Sequence, residues 1–148
     1  MKHPGKRRHA RELAVQFLYQ CDLNRSDTIE ESLSLFWQTQ ADVPQAVRAF
    51  AEELIRGCLA HRDSIDQTIR RYTEHWELPR MATVDRNILR LAIYEMTCRD
   101  DIPPVVSINE AVEIAKRYST DESGAFVNGI LDRLRADLPR PARTASRR

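Results

Sequence analysis

Hydrophobic residues recur with the spacing of amphipathic helices along nearly the whole chain, and no segment shows the strict alternation of a β-strand. In the first stretch the apolar residues follow the three-then-four spacing of one helix face: Ala10, Leu13, Ala14, Phe17, Leu18 and Cys21. A polar break at residues 24–27 ends this pattern. Thr28 and Glu31 then have the spacing of a capping box, which predicts the start of a second helix.

The middle of the chain predicts three more helices. Pro44 suits the first turn of one of them, and Gly57 lies inside its apolar stripe, which indicates a close contact with another helix. A short apolar pattern between Ile65 and Tyr72 predicts the next helix. The segment from about Arg80 to Arg99 is apolar over a wide arc, so we expect it at the centre of the fold.

Two further helices are predicted after residues 100–104, where two prolines end the central helix. Ser107 and Glu110 repeat the capping-box spacing and predict a helix start. The last helix is predicted from about Thr120 to Asp137, with Gly129 as a second close contact. About seven helices joined by short loops predict a compact all-α bundle, and residues 139–148 are expected to form a disordered tail.

The charge of the chain is unevenly distributed although its net value is only +1. Residues 1–11 contain five Lys and Arg residues and no acid, and residues 139–148 contain four arginines and no acid. The remaining residues, 12–138, contain 14 bases and 22 acids, which gives a net charge of −8. An acidic body with two basic ends indicates an acidic partner that the ends contact.

Several classes of protein do not fit this composition. No apolar run approaches the roughly 20 residues of a membrane-spanning helix, and the basic N-terminus has no apolar segment of a secretory signal. The three cysteines are dispersed and form neither a disulfide framework nor a zinc motif, so a reducing cytoplasm is expected. No glycine-rich phosphate loop, metal motif or catalytic motif is present. We therefore expect no enzymatic activity, no cofactor and no metal.

The basic run at the N-terminus is the strongest candidate for a binding site. Arg7 and Arg11 are four residues apart on one predicted helix face, and Tyr19 lies two turns beyond Arg11. Arginine matches phosphate oxygens with a planar fork of donors, and an aromatic ring offers a platform for an unpaired base. The pattern favours RNA over duplex DNA, because no helix-turn-helix with a basic recognition face is evident. The alternative is a solvated basic tail beside a tyrosine at the core boundary.

Four strings in the chain, in order, resemble those of the NusB family of bacterial transcription antitermination factors. They are KRRHARELAVQFLY at Lys6–Tyr19, VDRNILRLAIYE at Val84–Glu95, SINEAVEIA at Ser107–Ala115 and FVNGILD at Phe126–Asp132. Their order and spacing agree over about residues 6–135, which is nearly the whole chain.

The resemblance implies a single helical domain at 1–138, with two small subdomains at roughly 1–80 and 81–138. It also implies a function: binding of the boxA element of nascent leader RNA together with the ribosomal small-subunit protein NusE. The pair would join an elongating RNA polymerase with other Nus factors and promote processive transcription of ribosomal RNA operons. No catalysis and no membrane are implied.

The same resemblance assigns site residues. Those expected to contact RNA are Lys2, Lys6, Arg7, Arg8, Arg11, Gln16, Tyr19, Glu122, Phe126 and Asn128. Those expected to contact the protein partner are Tyr19, Asp85 and Arg90. Two alternatives stay open: Phe126 also fits the apolar stripe of the last helix, and Arg90 also suits a structural ion pair.

The chain departs from the family pattern at two places. His9 interrupts the basic run, and Ala125 stands where the family commonly has a base before the FVNG string. The second change removes one expected phosphate contact, for which the basic tail is a candidate substitute.

Two other functional classes are alternatives to this function. The same helical fold precedes the catalytic domain of certain ribosomal RNA cytosine methyltransferases, but this sequence contains no such cofactor-binding domain. The other class is a non-catalytic interaction module, such as a homodimer that covers its own basic face.

Overall fold

The computed structural model describes residues 5–24, 28–73 and 81–138, and it contains seven helices within them. Their bounds are α1 Lys6–Leu23, α2 Ile29–Thr39, α3 Gln45–Ala60, α4 Arg62–Tyr72, α5 Thr83–Cys98, α6 Pro104–Tyr118 and α7 Asp121–Asp137. No strand occurs in these described ranges. The predicted all-α fold is confirmed.

Helix α5 lies at the centre of the bundle, as its wide apolar arc predicts. Its side chains from Ile88 to Met96 are all buried, and five other helices pack against it: α1, α3, α4, α6 and α7. Polar contacts between the helices show that α1 runs antiparallel to α5 and parallel to α6. The start of α1 therefore lies where α5 ends and α6 begins.

Two local predictions are confirmed by the side chains. The Glu31 amide donates to the Thr28 hydroxyl at 3.2 Å, and the Thr28 amide donates to the Glu31 carboxylate at 3.3 Å, which completes the capping box of α2. At Gly57 the ring of Tyr94 occupies the space that a Cβ atom would need. A glycine in α3 thus permits close approach to α5.

Two other local predictions are wrong. Helix α6 begins at Pro104 rather than beside Ser107, because a proline in the first turn gives up no intrahelical hydrogen bond. Ser107 instead lies inside the helix and donates to the Glu95 carboxylate at 2.7 Å. Gly129 is exposed, and a Cβ atom there would meet no other group within 4 Å. The second close contact lies at Gly124 instead, where a Cβ atom would be 2.6 Å from the Lys116 side chain.

Some predictions are not tested by this fold. Lys2 and the predicted tail at 139–148 lie outside the described residues. The division into two subdomains stays a prediction. Helix α1 packs both against α3, which lies in the same predicted subdomain, and against α5, which lies in the other. No helix in the part of the chain that the structure describes is long and apolar enough to cross a membrane.

Candidate nucleic-acid interface

The first turn of α1 presents three consecutive basic residues, Lys6, Arg7 and Arg8, which we call the α1 rim. Gly5 precedes the helix and has no side chain, so no side chain caps this turn, and the turn carries no acid. Beside the rim is an open groove of about 500 Å³ between the start of α1 and the α5–α6 connection. The residues that line this α1–α6 groove are Gly5, Arg7, Arg8, Arg11, Asp101, Ile102, Pro103, Val106 and Glu110.

Lys6 and Arg7 are the exposed cations of the rim. No carboxylate of the described residues lies within ion-pair distance of either side chain. The Arg7 guanidinium lies 4.1 Å from the centre of the Phe50 ring, a cation–π contact that holds it at the mouth of the groove. Both side chains can therefore pair with an incoming phosphate without first breaking an ion pair.

Arg8 differs from its neighbours because a carboxylate already holds it. Its Nε and Nη2 atoms donate to the two oxygens of Glu110 at 2.7 and 2.9 Å, and the side chain is 36 % exposed. The hydrogen bonds from Arg8 lower the pKa of Glu110 against the opposing effect of its burial. Both partners are thus charged at neutral pH, and the pair as a whole is neutral.

Arg11 lies one turn deeper and is only 4 % exposed. Its Nε and Nη2 atoms donate to Glu95 at 2.7 and 3.0 Å, and Glu95 also accepts the Ser107 hydroxyl. A charge in such a site is stable only because its partner is buried with it. Its guanidinium joins α1 to α5 and α6, which supports a structural role, while direct contact of Arg11 with RNA stays a prediction.

The side chains of three arginines lie close to the ring of Phe50 in α3. Besides Arg7, the Arg11 and Arg99 guanidinium groups lie 5.7 and 5.6 Å from its centre. Arg99 also donates to both oxygens of Asp101 at 2.9 Å, and these hydrogen bonds lower the pKa of Asp101. The groove therefore combines arginines with carboxylates that largely neutralise them, and the excess positive charge comes from the α1 rim.

Gln16 and Tyr19 lie farther along α1, on a second surface. Gln16 is exposed and Tyr19 is 36 % exposed. Both line a mainly apolar cavity of about 190 Å³, together with Val84 of α5 and Tyr118 of α6. The Tyr118 hydroxyl donates to Glu12 at 3.1 Å, and burial followed by the charge of Glu12 raises the pKa of Tyr118. We call this surface the Tyr19 cavity.

The two remaining partner candidates are buried. Arg90 is 6 % exposed and pairs with Asp22 at 2.9 Å and with Asp66 at 2.8 Å. This supports the structural ion pair that the sequence left open, while a direct partner contact of Arg90 stays a prediction. Asp85 is also buried and accepts the Ser123 hydroxyl at 2.9 Å, which joins the start of α5 to α7.

Asp22 is the centre of this buried polar cluster. Arg62 and Arg86 donate to it at 2.9 and 3.1 Å, in addition to Arg90. Burial disfavours the charged form of Asp22, but the hydrogen bond from Asn87 and the nearby arginines outweigh that effect and lower its pKa. The cluster ties α1, α4 and α5 together away from the groove.

The α7 candidates lie on a different helix from the rim. Glu122 and Asn128 are exposed, and Asn128 donates to Asp132 at 3.3 Å. Phe126 is half-buried and packs against the core, so the structural alternative for this ring is supported while its contact with RNA stays a prediction. Ala125 is exposed, which leaves the position of the missing base open to solvent.

Sequence reasoning missed three residues that shape these surfaces: Phe50, Glu110 and Tyr118. Glu110 and Phe50 are 102 and 43 positions from their arginine partners, so no local pattern could join them. Tyr118 ends α6, and its place at the close of an amphipathic stripe was the available signal. The described residues contain no group of three or more His, Cys, Asp or Glu side chains that could hold a metal ion.

Comparison with known proteins shows similarity to one family over nearly the whole chain. The model of the NusB family matches residues 8–136. A transcription antitermination protein NusB from an Anaeromyxobacter species is 49% identical over 142 residues, which cover 96% of this chain and 98% of that protein. The corresponding protein of Myxococcus xanthus is 48% identical over 141 residues, covering 93% and 99%.

Solved structures agree with these relatives. NusB of T. maritima is 42% identical with a TM-score of 0.80, and the match covers 93% of this chain and 94% of that one. A structure of the antitermination factors NusB and NusE in complex with double-stranded RNA matches with a TM-score of 0.80 and 26% identity, covering 90% and 98%. On the family model, the relatives and the fold together, this chain belongs to the NusB family.

Proposed function

We propose that this chain is an RNA-binding transcription antitermination factor that binds the boxA element of nascent leader RNA together with NusE. The observation that carries the proposal is the match of nearly the entire chain to NusB proteins, one of them in a complex with NusE and RNA. The physical support on this chain is the α1 rim, where Lys6 and Arg7 are exposed beside an open groove and form no ion pair with a described carboxylate.

The surface chemistry explains why a second protein is needed. A few phosphate contacts give attraction that depends on salt but not on sequence. Sequence choice on single-stranded RNA requires bases that are read at their edges or stacked on aromatic rings. The α1 rim offers cations but few such groups, so NusE supplies additional surface and raises both affinity and selectivity.

The Tyr19 cavity is the surface that we assign to NusE. Its walls are mainly apolar, and two exposed aromatic residues, Tyr19 and Tyr118, stand at its edge. Aromatic residues around an apolar depression are typical of the anchoring points of protein interfaces. The rim would then bind RNA while the cavity binds the partner, on two parts of the same helix.

The finer consequences follow from this assignment. The protein–NusE–RNA assembly would join the RNA polymerase elongation complex with other Nus factors and keep transcription of ribosomal RNA operons processive. Because that process takes place on nascent RNA, the protein would act in the bacterial cytoplasm.

Fluorescence anisotropy tests the proposal. A labelled RNA that contains boxA and a scrambled RNA of equal length are titrated with this protein, with and without cognate NusE, at one fixed salt concentration. We expect tighter binding of the boxA RNA and a larger preference when NusE is present. Equal binding of both RNAs in both conditions would show that the rim attracts RNA through charge alone, without preference for the boxA sequence. A duplex form of the boxA RNA serves as a third ligand, which separates single-strand recognition from duplex binding.

A homodimer that covers the basic rim is the second candidate. The observation that favours it is the exposure of Val105 and Val106 at the start of α6, beside the groove. Sedimentation velocity with and without boxA RNA distinguishes the two. A dimer that dissociates when RNA is added indicates a masked site, and a monomer in both conditions removes this candidate.

A further inference from the structure

The carboxylate of Glu110 occupies the position that an RNA phosphate would take at Arg8. Its two oxygens accept two parallel hydrogen bonds from the guanidinium, the geometry in which arginine binds a phosphate group. Glu110 lines the α1–α6 groove from its α6 side, whereas Arg8 belongs to the rim. Both side chains are therefore accessible to a ligand in the groove.

Arg8 is the main group that holds Glu110 in place, and Arg11 adds an attraction between charges without a hydrogen bond. Its carboxylate accepts hydrogen bonds only from Arg8 among these residues. The pair is 36 % and 19 % exposed, in contrast to 4 % and 1 % for the Arg11–Glu95 pair one turn deeper. A partly exposed pair of this kind contributes little to stability, so its carboxylate can be exchanged.

We infer that Glu110 is an internal competitor of RNA: it holds Arg8 in the free protein, and an RNA phosphate displaces it on binding. The inference rests on the proposed RNA-binding function. The ion pair must break before the phosphate can bind, so the free energy of the pair is subtracted from the free energy of RNA binding. Because the exchanged group is a phosphate and not a base, the effect is the same for every RNA sequence.

The substitution Glu110→Gln tests the exchange, because glutamine keeps the shape of the side chain and removes its charge. We expect it to tighten binding of the boxA RNA and of the scrambled RNA by a similar factor, roughly three- to tenfold. The plot of log affinity against log salt should also become steeper, by up to about 0.7 for one additional cation on a single strand.

A double-mutant cycle with Arg8→Ala assigns the effect to the pair. In the Arg8→Ala background, Glu110→Gln should change RNA affinity less than about twofold, since the competing contact no longer exists. Glu113→Gln is the matched control, because Glu113 is exposed on the same helix, pairs with Lys116 and acts on Arg8 only through its charge, without an ion pair. It removes the same charge and should have an effect below about twofold in both backgrounds.

Two results would overturn the inference. Unchanged or weaker RNA binding by Glu110→Gln would show that the carboxylate positions Arg8 for RNA instead of competing with RNA. An effect that persists in the Arg8→Ala background would show that Glu110 acts on RNA through its charge at a distance and not by holding Arg8. Glu110→Ala repeats the test with a second side chain, and circular dichroism confirms that each variant is folded. Failure of the wild-type protein to bind either RNA would instead contradict the proposed function.

Discussion

Two regions of this molecule contain arginine–carboxylate pairs, and the pairs differ in their exposure to solvent. In the interior, Arg11 pairs with Glu95, and Arg90 pairs with Asp22 and Asp66, all with little access to solvent. At the α1 rim, Arg8 pairs with a carboxylate at the edge of the groove. The interior pairs join helices, whereas we propose that the pair at the rim exchanges its carboxylate for an RNA phosphate.

The comparison shows that position along the helix axis decides the role of each arginine. Arg7 and Arg11 lie on the same face of α1, as their spacing predicts, and both guanidinium groups approach Phe50. Arg7 stands at the end of the helix, where little of the protein covers it. Arg11 is one turn farther in, where α5 and α6 enclose it. One turn thus separates an exposed arginine, for which we propose a contact with RNA, from a structural ion pair.

The largest expected effect comes from breaking the interior pair. Arg11→Ala leaves the Glu95 carboxylate buried without its partner, so we expect the free energy of unfolding to fall by about 3–5 kcal/mol. Urea denaturation followed by circular dichroism measures this change. Arg7→Ala is the control from the rim and should lower stability by less than about 1 kcal/mol. Equal losses in the two variants would remove the distinction between the two regions.

The next effect concerns RNA binding by the rim. Arg7→Ala removes an exposed cation that forms no ion pair within the described residues, and we expect RNA affinity to fall about fivefold on boxA and scrambled RNA alike. Arg8→Ala should weaken binding less, since Glu110 already offsets its charge. Anisotropy titrations of both variants rank the two residues. A larger loss for Arg8 than for Arg7 would show that the ion pair does not restrain Arg8.

A smaller effect is expected from the ring that supports Arg7. Phe50→Leu keeps an apolar side chain in the core but removes the cation–π contact, so Arg7 loses its fixed position. We expect RNA affinity to fall about two- to threefold, measured under conditions where the variant is fully folded. Phe36→Leu changes a buried aromatic ring that packs on Phe17 and Trp37, and it should leave RNA affinity unchanged. Equal losses would point to general destabilisation.

The smallest effect is the pH dependence of the rim pair. Arg8 lowers the pKa of Glu110 in the folded state, so the pair stabilises the protein above the ordinary glutamate pKa of about 4.3. This stabilisation is lost as the pH falls from the ordinary glutamate pKa through the lowered pKa of Glu110 in the folded protein. Between pH 7 and pH 3 the wild type should therefore lose more stability than Arg8→Ala, by less than about 1 kcal/mol because the pair is partly exposed. Thermal unfolding at several pH values measures the difference, and parallel curves would contradict it.

Much of the fold could be predicted from the sequence because its signals are local. Helical periodicity and the capping box at Thr28 depend on residues within one or two turns, and a glycine inside the apolar stripe of α3 indicated the close approach at Gly57 without naming its partner, Tyr94 of α5. The run of basic residues at the N-terminus also predicted the position of the α1 rim. The partners of its arginines could not be predicted, since Glu95 and Glu110 follow them by 84 and 102 positions and reach them only in the folded bundle.

The start of α6 shows how two local signals compete. Ser107 and Glu110 have capping-box spacing, but Pro104 begins the helix one turn earlier. The same two side chains are then free to face α1 and α5, where Ser107 donates to Glu95 and Glu110 accepts from Arg8. Their identity reflects tertiary contacts that a single sequence does not reveal.

The most direct test of phosphate binding at the α1 rim is the salt dependence of RNA binding by the wild type, Arg7→Ala and Arg70→Ala. Arg70 is an exposed arginine near the end of α4, away from the groove, and serves as the matched control. We predict that Arg7→Ala makes the plot of log affinity against log salt shallower by about 0.7, while Arg70→Ala leaves it unchanged. Identical slopes for all three proteins would contradict a phosphate-binding role for the α1 rim.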